Sequence, residues 1–359
     1  MGTWTMWEIV WFVCSVQFWR MGVLWTLQLI YSYFKLWFLE TFTQRSISYS
    51  RCRLAQNTLN RRPVCIITGA TSGLGAAAAL SLAREGFYVV LAGRCKDFLS
   101  KTMVEIKQED ADAHVKAFQV DLSSFQSMLE FKSSLQQWLL DSEMHPSIQL
   151  LINNAGILAT SHRFNVEGYD QMMGTNYIGA FVLTNLLLPL LKDSYIPSRV
   201  VNVTSFTHRC VSNMQVDEET FLGKHSLLSK PYPCAQVYES TKLCLVLFSY
   251  ELHRRLRLVE GSTLVSVMAA DPGAVSTNIM RELPLPLSNL AMTALKFLGL
   301  LQSSEDGVKS ILDAALAPPE LSGAYFFGGR GRTIASSVLS YDSKLAEKLW
   351  NSSCKFFLN

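Results

Sequence analysis

Val64–Gly75 reads V-C-I-I-T-G-A-T-S-G-L-G, a short apolar run rich in β-branched residues that breaks directly into three glycines. Ala76–Leu82 continues with good helix formers, so strand, tight turn and helix follow one another without spare residues. Gly69 and Gly73 permit backbone angles that a side chain forbids. Gly75 lets the helix start sit close to the strand, its free N–H groups facing an anion. Such a turn is a phosphate site, and the ligand it implies is a dinucleotide. A Gly-rich turn is often only a turn; the flanking strand and helix favour the nucleotide here.

Outward from this stretch, short β-branched runs alternate with helical ones, the pattern of a Rossmann-like, doubly wound parallel α/β sheet. Strands are expected at Val64–Thr68, Tyr88–Ala92, Val115–Val120, Gln149–Asn153, Arg199–Thr204, Thr263–Ala269 and Gly323–Phe327, seven in all. Helices are expected near Ala76–Glu85, Phe98–Gln108, Phe125–Leu140, Asn176–Leu191 and Tyr238–Leu258. Residues 63–359 then form one domain, with its ligand crevice at the carboxyl ends of the strands.

Residues 1–42 differ in character. Ile9–Trp19 and Met21–Phe34 are apolar, Trp-rich runs parted only by Arg20, with Lys35 and Glu40 beyond them. No Pro or Asn-Gly turn divides the two runs, which argues against a hairpin. Gly22–Leu39 approaches the ~20 apolar residues a membrane helix needs, with Lys35 snorkelling. Arg20 and Gln28 fit a spanning helix poorly, so a tilted or interfacial helix stays open. Residues 43–62 form a linker; Thr41–Arg62 carries Arg45, Arg51, Arg53, Arg61 and Arg62 and no acid. The positive-inside rule then places the catalytic domain in the cytosol, with the endoplasmic reticulum as the expected membrane.

The net charge of +3 says little about partners. Without a basic-aromatic stripe, nucleic acid is not an expected partner. The eight cysteines form no C-x-x-C pair, so neither a metal site nor a disulfide framework is expected and they read as reduced thiols.

NAD-selective sites place an acid after the second strand to hold the ribose 2′-hydroxyl, whereas this chain has Gly93-Arg94 with Lys96 nearby. A guanidinium suits a 2′-phosphate, hence NADP(H). Asp121 follows the third strand, compatible with an adenine contact or a helix N-cap.

Tyr238 and Lys242 in Y-E-S-T-K are four apart on a helical segment and share one face. A phenol is a poor base at neutral pH, and a neighbouring ammonium is expected to bring it closer to working range. Ser205, after the strand R-V-V-N-V, can hydrogen-bond the same substrate oxygen, and Asn176 in G-T-N-Y-I-G can hold a relay water. A lone Tyr-x-x-x-Lys is usually a surface pair; the company it keeps here is what singles it out.

The chain resembles the short-chain dehydrogenase/reductase family over nearly everything after Pro63. Thr68–Gly75, Asn153–Gly156, Asn176, Ser205, Tyr238 with Lys242, and Asp271–Thr277 fall in the family's order. The resemblance implies that Thr68, Gly69, Ser72, Gly73, Leu74 and Gly75 cradle the cofactor and that Asn154, Ala155 and Gly156 shape its floor. It also implies that Pro272, Gly273, Val275 and Thr277 hold the nicotinamide carboxamide, that Lys242 grips the ribose, and that Tyr238 is the acid/base.

The long interval from Ser205 to Tyr238, together with L-L-I-N-N-A-G-I-L and the N-terminal anchor, is similar to one branch of the family. It holds retinol dehydrogenases, the X-linked enzyme of polyprenols and dolichal, and the plant FOREVER YOUNG oxidoreductase. That branch implies a lipophilic alcohol or carbonyl as substrate and a membrane as partner, with homodimerisation open. The alternative is a nucleotide-binding member with a regulatory or developmental role through protein partners; the complete set of four catalytic residues favours the enzyme.

Leu283–Gln302 is apolar almost throughout, with Lys296 its only charge. Pro284 and Pro286 are expected to make its start irregular, and the rest is too short to span a bilayer. It reads either as a helix packed on the domain or as one that dips into the headgroups and admits lipid.

Overall fold

The computed structural model describes residues 4–42, 48–52, 62–142, 144–217, 219, 221, 232–260 and 265–357. The strands are β1 Val64–Thr68, β2 Tyr88–Gly93, β3 His114–Gln119, β4 Leu150–Asn153, β5 Ser198–Val203, β6 Val265–Asp271, β7 Ala274–Val275, β8 Leu301–Gln302 and β9 Tyr325–Phe327. Seven of them form the expected sheet, in the order β3-β2-β1-β4-β5-β6-β9, with every pairing parallel. β7 and β8 pair separately.

Both faces of a parallel sheet must be covered, which is why the inner strands β1, β2, β4 and β6 are buried, largely apolar runs, while the edge strand β3 alternates. Along β1, Val64 and Ile66 point into one core and Cys65 and Ile67 into the other, the period-two alternation of a strand. The first core is closed by helices Phe125–Asp141, Gln171–Lys192 and Cys234–Glu260 together with the C-terminal helix Ser343–Phe357. The second lies under Gly73–Arg84, Lys96–Glu109 and Ser304–Ala315. Gln171–Lys192 is apolar and long enough to cross a membrane, but it is a core helix here, largely buried.

Several boundaries differ from those read in the sequence. The helix expected from Asn176 begins at Gln171, where the Asp170 side chain accepts from Met173 N–H. β6 runs on through Asp271, because its ladder continues against β9 as far as Phe327. Pro284 and Pro286 do not leave an irregular start: Pro284 is the N-cap and Pro286 sits in the first turn of the helix Leu285–Phe297, where no intrahelical N–H is required. Ser304–Ala315 and Ser343–Phe357 were not foreseen.

The N-terminal segment is no hairpin. A Thr5–Glu8 capping box opens the helix Met6–Val13, Ser15 caps the next one, and the run Val16–Phe42 continues at 62° to the first. Its stripe Leu29, Ser32 and Leu36 is buried, packed into a cluster with Phe206, Val246, Tyr325 and Phe327. Fully burying a leucine is worth about 1.5–3 kcal/mol, so this stripe fastens the helix to the domain.

Candidate active site

The sheet order reverses between β1 and β4, and the crevice opens there, as it does in open α/β sheets generally. Gly69 and Gly73 have φ of +65° and +53°, in the left-handed region that favours glycine. A Cβ on Gly69 would come within 2.9 Å of Ala155 Cα, and one on Gly75 would strike the Gly69 carbonyl and lie 2.6 Å from Asn154 Nδ2. Thr68 Oγ1 ties the two loops together, accepting from Asn154 N–H at 3.0 Å and Ala155 N–H at 3.1 Å. Asn154 Nδ2 in turn donates to the Thr68 carbonyl at 2.9 Å. Ser72 precedes the helix Gly73–Arg84 yet its side chain makes no cap bond, which leaves the first N–H groups open to an anion. These observations fit a dinucleotide phosphate.

Around the crevice the structure gathers Thr68, Gly69, Ser72, Gly73, Leu74, Gly75, Arg94, Asn154, Ala155, Gly156, Ser205, Tyr238, Lys242, Pro272, Gly273, Val275 and Thr277 on the wall of one cavity of about 1450 Å³. Asp121 is not among its lining residues. Its carboxylate instead accepts from Ser123 N–H and Oγ, at 2.9 and 2.7 Å. Nor does it cap the helix Phe125–Asp141, whose N-cap is Ser124. Arg94 is exposed and follows β2 as expected. The other lysine on that wall is Lys101, not Lys96; Lys101 pairs with Glu105 at 3.7 Å.

Tyr238 and Lys242 stand on one face of the helix Cys234–Glu260, with Lys242 Nζ 5.6 Å from the phenol ring and donating to the Val203 carbonyl at 3.0 Å. Asn176 lies in a π-turn, Gly174–Ile178, a widened helical turn common at functional sites. Its side chain is fixed by Ile157, whose N–H it accepts at 2.8 Å and whose carbonyl it meets at 2.9 Å, and it donates to Thr241 Oγ1 at 3.2 Å. A Cβ on Gly156 would stand 3.5 Å from Asn176 Oδ1 and 3.6 Å from Lys242 Nζ. That glycine therefore keeps open a space bounded by both polar atoms.

Tyr238 is packed among Ile157, Met172 and Trp25. Burial, and then the Asp271 carboxylate, push its phenol up. This reverses the direction expected from the Lys242 pair alone, because an apolar enclosure disfavours the phenolate more than a shared helix face favours it. Burial lowers Lys242 to about 8, with Asp271 opposing. Asp271 is buried and held by Tyr325 Oη at 2.7 Å and Gly273 N–H at 2.9 Å; burial raises its pKa against those two bonds. Behind Ser205, the buried His208 donates from Nδ1 to the Ser205 carbonyl at 2.6 Å and accepts from Ser337 N–H at Nε2, 3.0 Å.

The sequence reading missed one wall entirely. Trp25 and Leu29 of the N-terminal helix line the cavity together with Leu287, Leu290, Ala291 and Leu295 of the helix Leu285–Phe297. Tyr33 reaches the Pro272–Thr277 segment through Gln302, whose Nε2 lies 3.0 Å from Tyr33 Oη and 2.9 Å from the Pro272 carbonyl. The available signal was Gln17 and Arg20, polar residues inside an apolar run. Gln17 bonds Ala235 and Gln236, and Arg20 pairs with Glu239.

A doubly wound parallel sheet whose crevice joins a phosphate turn to a Tyr–Lys pair defines a nicotinamide-dependent oxidoreductase of CH–OH groups. The chain belongs to the short-chain dehydrogenase family, whose sequence profile matches residues 63–215. It is 33% identical over 296 residues to the polyprenol dehydrogenase of Homo sapiens, covering 81% of this chain and 84% of that protein. Retinol dehydrogenase 13 of Homo sapiens is also 33% identical, with coverage of 81% and 83%. Among solved structures, an NADPH-bound carbonyl reductase from chicken fatty liver superposes with a TM-score of 0.53 over 77% of this chain and 99% of that one. At 18% identity that likeness is one of fold.

Proposed function

We propose that the chain is an NADP(H)-dependent oxidoreductase that interconverts a lipophilic alcohol of retinoid, steroid or polyprenol type and its carbonyl, with Tyr238 as acid/base. The observation that carries this reading is the single cavity. Its 1450 Å³ exceeds the ~300–1,000 Å³ of an ordinary ligand pocket. One continuous wall runs from the glycine turn past Tyr238 to two apolar helices, with room for cofactor and a long substrate together. Arg94 at the end of β2, where an NAD site would carry an acid, supports the phosphorylated cofactor.

The nicotinamide, when bound, supplies or takes up the hydride. In the reducing direction Tyr238 gives its proton to the carbonyl oxygen, Ser205 hydrogen-bonds that oxygen, and the alcohol receives one hydride and one proton in total. The proton is replaced through Lys242 and a water in the space over Gly156, between Asn176 Oδ1 and Lys242 Nζ; oxidation runs the same route backwards.

The N-terminal segment and Leu285–Phe297 each carry exposed apolar side chains: Trp7 and Trp11 on Met6–Val13, Trp37 and Phe38 on Val16–Phe42, and Leu285 and Phe297 on the third helix. Val16–Phe42, roughly 40 Å long, touches the domain from Gln17 to Glu40. Contact along its whole length supports a helix lying in the membrane interface, outer face in lipid, over one crossing the bilayer. The cavity that both helices line then lies beside the source of a lipid substrate. We place this surface on the cytosolic side of the endoplasmic reticulum, in keeping with the basic flank; Arg45, Arg53 and Arg61 lie outside the described residues.

The test is turnover by the full chain in phospholipid vesicles, with NADPH or NADH and retinal, a steroid ketone, a polyprenal and a short soluble aldehyde. NADPH-dependent reduction of a lipophilic carbonyl is expected. Absence of turnover with all of them, or turnover of the short aldehyde alone, overturns the reading.

A further inference from the structure

Glu239, the residue after Tyr238, is 1% exposed, and a carboxylate so placed needs partners. Among the described residues both come from the N-terminal helix. Arg20 donates to it through Nη2 at 2.5 Å and Nε at 3.2 Å, and Trp25 Nε1 at 2.7 Å. Residues five apart in a regular α-helix point to different sides. Here the turn Arg20–Leu24 is widened, with Trp25 N–H bonded to the Arg20 carbonyl, and both side chains reach one carboxylate. The indole so fixed lies against Tyr238, ring centroids 5.5 Å apart. A second anchor, Gln17, holds the start of the same helix that carries Tyr238 by accepting from Ala235 N–H at 3.1 Å.

We propose that Val16–Phe42 is a fixed wall of the active site and that Trp25, locked by the Arg20–Glu239 ion pair, is a positioning residue for Tyr238. The membrane-binding element thereby sets the geometry of the acid/base. The positioning role rests on the reading of Tyr238 given above; the docking of the helix does not.

Two measurements on the full chain in detergent micelles test the two parts. The first is a double-mutant cycle read as melting temperature. Arg20→Met and Glu239→Gln each lower it, and the double variant falls by less than the sum, because the second change removes the charge that the first left unpaired. Additive shifts, or no shift in either, overturn the docked wall. The second is kinetic. Trp25→Ala lowers kcat about 10- to 100-fold, as a misplaced reacting group does, equally for a polyprenal and a short soluble aldehyde. NADPH affinity is unchanged, and Trp25→Phe recovers most of the rate. Full activity of Trp25→Ala beside an inactive Tyr238→Phe overturns the positioning role and leaves the catalytic reading standing. Full activity of Tyr238→Phe, with the cycle still coupled, removes the catalytic reading and the positioning role and leaves the wall.

Discussion

Trp25 lies over Tyr238 with ring centroids 5.5 Å apart and planes tilted by 40°. The first belongs to the apolar N-terminal segment and the second to the Tyr-x-x-x-Lys motif, so the proposed tether and the proposed acid/base are one packed unit. A consequence is that deleting residues 1–42 is no clean test of membrane attachment. It removes Trp25 and Leu29 from the cavity and strips Glu239 of its two partners. Activity on short and long substrates should fall together in such a truncation.

Loss of the phenol oxygen alone should separate chemistry from binding. Tyr238→Phe keeps the ring packed among Ile157, Met172 and Trp25 and removes the proton donor. The rate should drop about 10²- to 10⁴-fold, with melting temperature and NADPH affinity near those of the parent. Near-normal turnover in a steady-state assay contradicts the assignment.

Cofactor choice is expected to rest on Arg94. Arg94→Asp exchanges a partner for a 2′-phosphate with one for a 2′-hydroxyl, so the NADP/NAD ratio of kcat/KM should fall. Lys101→Ala should lower it further, since Lys101 shares that wall. An unchanged ratio in Arg94→Asp makes the arginine a surface residue.

His208 should make stability fall in acid. Burial, first of all, and then Arg209 hold it down to about 3, with the Ser205 carbonyl opposing and Lys35 adding a little; Asp271 and Tyr325 complete its surroundings. The geometry agrees, since Nε2 faces the Ser337 N–H and has no acceptor for an added proton. Its unfolded value lies near 6.5. The unfolded chain therefore binds a proton that the folded one refuses, and stability present above pH 6.5 is lost as the pH falls toward 3. The full shift corresponds to a loss on the order of 5 kcal/mol. Urea unfolding from pH 7 to 4 should show a shallower decline in His208→Gln; identical slopes exclude His208 as a source of the acid lability.

Charge on the outer surface should release the protein from lipid without touching the buried stripe. Phe297 is 90% exposed, and Trp37, Phe38 and Leu285 are also exposed and lie off the cavity wall. Trp37→Glu, Phe38→Glu, Leu285→Glu and Phe297→Glu together should abolish sedimentation with phosphatidylcholine vesicles. Long-chain turnover should then fall more than turnover of a short aldehyde. Sedimentation of the charged variant with vesicles contradicts the interfacial placement.

The sheet was legible because its signals are local: β-branched runs punctuated by glycine, and a turn that admits no other residue at Gly69 and Gly75. The candidate catalytic residues were singled out for the same reason, each sitting in a short motif. What escaped depends on contacts far along the chain. Apolarity in residues 1–42 reads the same whether the partner is lipid or Phe327; Arg20 and Gln28 fitted a spanning helix poorly, and of these Arg20 faces the domain, as Gln17 does. Of the two roles compatible with Asp121, the helix cap falls instead to Ser124, three residues on, while Ser123 bonds one oxygen of its carboxylate. The direction of the Tyr238 shift was misread because four-residue spacing reveals the neighbour but not the enclosure.

The most direct test of the central claim is transfer of label. The full chain in vesicles is given NADPH deuterated at nicotinamide C4, in the position that is transferred, with a polyprenal or retinal, and the alcohol is analysed by mass spectrometry. One deuterium on the carbinol carbon is expected, with far less from labelled NADH and almost none in Tyr238→Phe. Unlabelled alcohol, no alcohol, or equal labelling by Tyr238→Phe would contradict the account.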